Sequence, residues 1–297
     1  MTRHERDCVS RIHMPNNDQH PVVVGGIGGS GTRLVAGCLM ELEFFLGHNL
    51  NRSIDNLWFT LLFKRREILK CSDQEFDDLV EIFVRATAGH GKFVRRLIRL
   101  LDGLAMLDRR NGLTSWLRKR AGRLLSEEPG LQLTERWGWK EPNSHVVLGR
   151  LVQRFSQMKY IHVTRNGLDM AHSRNQQQLR LWGRHFVGDE CKNSQHCSLK
   201  YWCAVHRRVL DIGSAMGRRF LFLNYDDFCR NPDEGVLTLC DFLGVKSSDH
   251  RRERLTGLVK PQPSAGRFRQ YGTDIFDAQD VAYVRSLGFD VDDEERS

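Results

Sequence analysis

At 297 residues, with 45 Lys and Arg against 37 Asp and Glu, the chain carries a formal net charge of +8 and has a pI near 9.2. That length holds one large α/β domain with an inserted helical part, and the charge favours acidic ligands such as nucleotide phosphates, sulfated sugars, nucleic acid or a membrane surface. No apolar run reaches the length of a membrane span, and the polar segment 1–20 lacks the apolar core of a secretion signal. A soluble, cytoplasmic protein is expected, and the eight scattered cysteines fit reduced thiols.

The segment 1–20 reads as a flexible lead-in. Val22, Val23 and Val24 then make a short apolar run of the kind that becomes a buried strand, followed by Gly25-Gly26-Ile27-Gly28-Gly29-Ser30-Gly31-Thr32-Arg33. From Leu34 to Phe45 the residues suit a buried helix. A strand, a glycine turn and a helix start form an anion site, because glycines let the backbone approach a ligand and the first helical N–H groups point at it. Ser30 and Thr32 can add hydroxyl donors, and Arg33 a charge. The loop is not a Walker A sequence. With Gly26 and Gly31 on the two fixed glycines of G-x-x-x-x-G-K-[ST], Thr32 stands at the lysine and Arg33 at the magnesium-binding hydroxyl. The pattern points to phosphate, without saying which.

Residues 47–56 are polar and turn-rich and would leave the phosphate site to face a second substrate. From about 57 to 125 the pattern is helical, with a capping box at Ser72–Glu75 ahead of Phe76, Leu79, Val80, Ile82 and Phe83. Two more amphipathic stretches cover 92–107 and 114–125. Their many Lys and Arg read as a solvated helix face, or alternatively as a lid or a surface for an acidic acceptor. No basic–aromatic interleaving or module accompanies them that would indicate nucleic acid.

A short strand ends near Lys140, and a helix capped by Asn143 or Ser144 covers His145 to Phe155. Lys159–Arg165 is a further buried strand, followed by a helix from Asn166 to about Leu179. Arg165 thus sits at a strand's carboxyl end beside a helix start, where open parallel sheets bind ligands. A loop covers 183–197, a helix 198–216, and a fourth strand Arg219–Tyr225. Asn231-Pro232 starts a helix ending near Gly244. The basic stretch Arg251–Tyr271 is interrupted by Pro and Gly, and the acidic tail 290–297 is expected to be disordered. Strands alternating with helices imply a parallel sheet covered on both faces. Cys191, His196, Cys197, Cys203 and His206 lack the usual zinc-ligand spacing, so no metal is expected.

Three separated segments together resemble the sulfotransferases that use 3′-phosphoadenosine 5′-phosphosulfate (PAPS). One is Ser30-Gly31-Thr32 in the first loop. The second is R-x-x-x-D-x-x-x-S, here Arg165, Asp169 and Ser173. The third is a late Gly266-Arg267-Phe268-Arg269, preceded by Ser264. Tyr225-Asp226-Asp227-Phe228 through Phe242-Leu243-Gly244 is similar to the family's Y-x-D-L…F-L-G helix. The resemblance implies a P-loop-like, three-layer α/β sandwich over 21–289 with a central parallel sheet and a helical insertion at 57–125. It implies PAPS as donor co-substrate, with Gly28 to Arg33 at the 5′-phosphosulfate. Arg165, Ser173 and Gly266 to Arg269 would hold the 3′-phosphate. Asp169 is expected to be structural, since a carboxylate repels a phosphate.

Lys140-Glu141-Pro142 resembles the K-[DTE]-P segment of tyrosylprotein and bacterial relatives, whose lysine touches the transferring sulfuryl group. Most family members carry Lys or Arg just before S-G-T, and here that residue is Gly29; Arg33 instead resembles the G-G-T-R variant of heparan sulfate sulfotransferases. Arg33 and Lys140 would have to supply the missing charge. Asp55 and His48 are the candidate bases, with Glu141 an outsider. The expected reaction is sulfuryl transfer to a hydroxyl or amine of a carbohydrate or small molecule. A P-loop nucleotide kinase and a non-catalytic nucleotide-binding protein are the alternatives.

Overall fold

The three valines after Pro21 lie at the centre of a four-stranded parallel sheet. In the computed structural model, which describes residues 20–87, 136–260 and 262–292, the strands are β1 (Val22–Gly26), β2 (Gly138–Lys140), β3 (Lys159–Thr164) and β4 (Phe220–Asn224). Their spatial order is β2-β1-β3-β4. Val24 pairs with both Lys140 and Ile161, Gly26 with Val163, and Thr164 with Asn224. In chain order the helices are α1 (Thr32–Glu41), α2 (Leu57–Phe63), α3 (Asp73–Thr87), α4 (Leu148–Arg154), α5 (Gly167–Ala171), α6 (Gln177–Phe186), α7 (Gln195–Met216), α8 (Tyr225–Arg230), α9 (Pro232–Leu243), α10 (Asp249–Thr256) and α11 (Ala278–Ser286).

Successive side chains of a strand point to opposite faces, and here each face meets its own apolar core. Val23, Trp139 and Tyr160 pack with Phe59, Phe83 and Trp202 on one side. Val22, Val24, Ile161 and Val163 pack with Val35, Leu39 and Leu239 on the other. Burying a valine or leucine stabilises by about 1.5–3 kcal/mol, so strands apolar on both faces belong in the middle layer. The expected α/β sandwich around a parallel sheet is what the chain forms. No described helix is long and apolar enough to cross a membrane.

Several boundaries differ from the sequence reading, each for a local reason. The capping box is made as expected, with Ser72 N–H donating to Glu75 and Glu75 N–H to the Ser72 hydroxyl. The helix expected at 145–155 begins earlier, as a 3₁₀ turn over Pro142–Val147. Its cap is Glu141, whose carboxylate accepts the Asn143 N–H, with Pro142 at the first position. The helix expected to run to Leu179 stops at Ala171. The Gln176 carboxamide folds back to donate to the carbonyls of Met170, Ala171 and Ser173, satisfying the helix end and making a break there. The expected tail is not loose at its start. Asp290 O accepts from Asn166 Nδ2 at 2.7 Å, Asp290 and Asp292 pair with Arg269 and Arg285, and Val291 is buried. The lead-in 1–19, the helical stretches expected over 92–107 and 114–125, and residues 293–297 lie outside the described residues.

Candidate active site

The carboxyl ends of β2, β1 and β3 lie side by side, and each hands over to a segment singled out in the sequence. After β1 the chain enters the glycine loop, with Gly29 at φ 102° and Gly31 at φ 94°, a left-handed region costly for other residues. A Cβ on Gly31 would lie 2.2 Å from the Tyr225 ring, so only glycine lets α8 close over the loop. At Gly29 a Cβ would meet nothing within 4 Å. Ser30 is buried, and its hydroxyl has no hydrogen-bond partner among the described residues. An unpaired buried hydroxyl costs about 1–3 kcal/mol, which a ligand oxygen would offset.

The last residue of β2 is Lys140, 2% exposed. Its ammonium donates to the Ser53 carbonyl at 2.9 Å and to the Asp55 carboxylate. Burial pulls its pKa below the usual lysine range, and Asp55 opposes that pull. The segment bearing Asp55 hangs on the same strand, because Asn56 N–H donates to Lys140 O at 2.8 Å. Asn56 also caps α2 by accepting the Phe59 N–H at 3.1 Å. Arg33, one residue into α1, donates to the Ser53 hydroxyl at 2.9 Å.

The glycines of the loop, Arg33, Lys140 and Asp55 share one cavity of about 630 Å³. Its wall includes Gly28, Gly29, Gly31, Thr32, Arg33, Asp55 and Lys140, joined by Ser53, Asn175, Tyr225, Leu258 and Lys260. Of the two candidate bases, Asp55 lines this cavity. His48 does not; it is exposed, its ring edge-on to Phe45 at 4.7 Å. The outsider Glu141 is fully buried with its carboxylate spent on Asn143 N and Nδ2, and burial raises its pKa.

After β3, Arg165 is held on several sides. Nη2 donates to the Ser264 hydroxyl at 2.9 Å, Nε stands 3.5 Å from Asp226, and Asp169 lies 3.9 Å away. Nε makes no hydrogen bond of its own. Ser173 lies in the turn beyond α5, where its hydroxyl accepts the Asn175 N–H at 3.2 Å. Asp169 is buried and accepts the backbone N–H groups of Gly266 and Phe268. It therefore builds the late loop, the structural part expected of it. Phe268 is 1% exposed in the core, and Arg269 turns to Asp290. Of that loop's side chains, Arg267 is the cation left with only a carbonyl, His172 O at 3.4 Å.

The residues considered for zinc have other partners. Cys191 Sγ and Cys203 Sγ lie 3.8 Å from the carbonyls of Cys197 and Asp280. His206 Nδ1 donates to Trp202 O at 2.7 Å, leaving Nε2 to accept from Thr164 at 2.8 Å. Among the described residues, no group of three His, Cys, Asp or Glu is placed to hold a metal.

Ser53 lies in the 47–56 segment expected to face a second substrate, whereas sequence reasoning missed Asn175, Tyr225, Leu258 and Lys260 as cavity residues. Tyr225 carried a usable signal, since it directly follows a strand at the sheet's ligand-binding edge. The other three come from connections and carry none.

A glycine loop joining a parallel strand to a helix, with a buried lysine on the next strand, defines a P-loop-like α/β protein. Residues 21–249 match the model of the sulfotransferase family, and the chain belongs to that family. No curated protein matches it in sequence. Among solved structures it is similar to the sulfotransferase domain of an olefin synthase from Synechococcus PCC 7002, at 16% identity and a TM-score of 0.46, covering 94% of this chain and 99% of that one. A sulfotransferase of Mycobacterium avium aligns at 16% identity and a TM-score of 0.46, over 93% of this chain and 78% of that one. A retinol dehydratase in complex with retinol and PAP gives 16% and 0.39, over 94% and 84%.

Proposed function

We propose that this sulfotransferase moves a sulfuryl group from PAPS to a hydroxyl or amine of a carbohydrate or small-molecule acceptor. One observation carries the reading: the glycine loop, the buried Lys140 ammonium and the Asp55 carboxylate open into one cavity. The unpartnered Ser30 hydroxyl suits an oxygen-rich ligand beside that loop. PAPS supplies a sulfuryl group already activated as a phosphosulfate anhydride.

The chain's own groups then divide the work. The N–H groups of Gly28, Gly29, Gly31 and Thr32 hold the 5′ end, with Arg33 standing in for the cation that Gly29 lacks. Lys140 steadies charge on the phosphate oxygen that leaves, a cation fixed in advance where charge develops. Asp55 takes the acceptor's proton as its oxygen or nitrogen attacks. Arg165, with Ser173 and Arg267, binds the 3′-phosphate by charge-assisted hydrogen bonds. The N–H groups of Gly266 and Phe268 serve Asp169 instead.

Calorimetric titration with 3′-phosphoadenosine 5′-phosphate (PAP), with ADP as control, tests this on the native protein and on Arg165→Ala. Binding that requires both the 3′-phosphate and Arg165 is the expected result. Equal binding of ADP and PAP, or no binding, overturns it. A protein that binds PAP but never consumes PAPS with any acceptor is the non-catalytic alternative.

A further inference from the structure

The loop that carries Asp55 is tied by one side chain. The Asn51 carboxamide oxygen accepts two backbone N–H groups, from Ser53 at 2.8 Å and Asp55 at 2.9 Å. Its Nδ2 donates to Asp55 Oδ2 at 2.8 Å, while Lys140 holds Oδ1. The backbones close the same loop, with Asn51 N–H to Asp55 O at 3.2 Å and Ile54 N–H to Asn51 O at 2.9 Å. So small a loop forces Ile54 to φ 62°, a conformation that β-branched residues rarely adopt. Backbone strain of this kind costs of order 1–3 kcal/mol and persists where surrounding bonds over-determine it. Here those bonds come from Asn51, Lys140 and Arg33.

Two donors thus fix the two oxygens of one carboxylate in one plane at the cavity wall. Each oxygen keeps a further lone pair for an incoming proton. A carboxylate on a short, half-exposed loop would otherwise rotate about χ2, since such terminal torsions are broad. We propose that Asn51 is the positioning residue of Asp55: through Nδ2 it sets the orientation in which the carboxylate meets the acceptor's proton. The proposal rests on the reading of Asp55 as the base.

Two substitutions separate positioning from loop-building. Asn51→Ala removes both the loop acceptor and the donor to Asp55. Asn51→Asp keeps an acceptor for the Ser53 and Asp55 N–H groups, and so keeps the turn, but faces Asp55 with a second carboxylate instead of a donor. The readouts are PAP released from PAPS, with water as the acceptor of last resort, and the PAP dissociation constant by calorimetry. Positioning predicts that both variants lose ~100-fold in kcat, the scale of a misplaced catalytic group, with PAP affinity kept within about threefold. Asn51→Asp working like the native protein would reduce Asn51 to a turn-builder and overturn the proposal. So would Asn51→Ala retaining native kcat. Asp55→Asn separates the two levels: if it keeps native turnover, the base assignment itself fails and Asn51 falls with it. If Asp55→Asn is inactive while the Asn51 variants are not, only the positioning role fails.

Discussion

Asp169 accepts the backbone N–H of Phe268 at 3.0 Å, bridging ninety-nine positions of the chain. The same carboxylate takes Gly266 N–H at 2.8 Å, so one buried acid closes the late loop beside Arg165.

Replacing Asp169 by Ala should cost about 2–4 kcal/mol, because the buried Phe268 N–H, the half-buried Gly266 N–H and Arg165 lose a charged partner. Urea denaturation reads the loss directly. PAP affinity should fall as well, through the displaced loop. A variant of native stability would show that water replaces the carboxylate at no cost.

Lys140→Met should lower kcat roughly 10²- to 10³-fold, the usual loss when a preorganised charge at the reacting group is removed. PAP has no sulfuryl group, so its affinity should change far less than kcat. Steady-state kinetics beside a PAP titration separates the two. Equal losses in both would place Lys140 in ground-state binding.

Ile54 inverts the usual order of glycine and alanine. In ordinary backbone, Gly is less stable than Ala by about 0.5–1 kcal/mol. At φ 62° the left-handed cost of ~1–2 kcal/mol falls on Ala and not on Gly. Ile54→Gly should therefore be at least as stable as Ile54→Ala. Chemical denaturation of the two side by side decides it, and Ala more stable than Gly by 1 kcal/mol would contradict the strain.

The buried histidines behind the sheet make stability fall in acid. His206 and His145 are fully buried, and burial lowers their pKa values from 6.5 to about 3 and about 4; burial also pulls His162, packed against His206 at 5.0 Å, well below the ordinary imidazole value. In the unfolded chain each takes up a proton near the ordinary imidazole value of 6.5, while the folded chain keeps it neutral. Stability is then whole above pH 6.5 and lost as pH falls, levelling only below the folded values. Each histidine contributes about 1.4 kcal/mol per pH unit across that window. Urea midpoints between pH 7.5 and roughly 4.5 check this, and His206→Gln should make the slope shallower by one proton.

Strands β1, β3 and β4 were legible because each carries a short apolar run, and β1 with its glycines pointed to an anion site. Arg165 was legible from its place at a strand end. The break after Ala171 was not, because Leu168, Met170, Ala171 and Leu179 keep a helical pattern and the stop is made by the Gln176 side chain. Nor was the Asn51–Asp55 knot, which has no apolar periodicity; Asn51 is one of several polar residues in a turn-rich segment until its carboxamide is seen meeting three partners. The anchoring of Asp290 depends on Asn166 and Arg269, which only the tertiary fold brings near. Leu258 and Lys260 reached the cavity the same way.

The order β2-β1-β3 also makes the sheet a ruler. Neighbouring strands stand about 4.8 Å apart, so Lys140, the glycine loop and Arg165 are spaced by main-chain hydrogen bonds and not by side-chain packing. Substitutions in the covering helices can reshape the rim without altering that interval. The sheet thus fixes the interval between these three points, while the cavity wall formed by Ser53, Ile54 and Asp55 comes from a connection. If the proposed function holds, exchanging that short segment between relatives should change the acceptor.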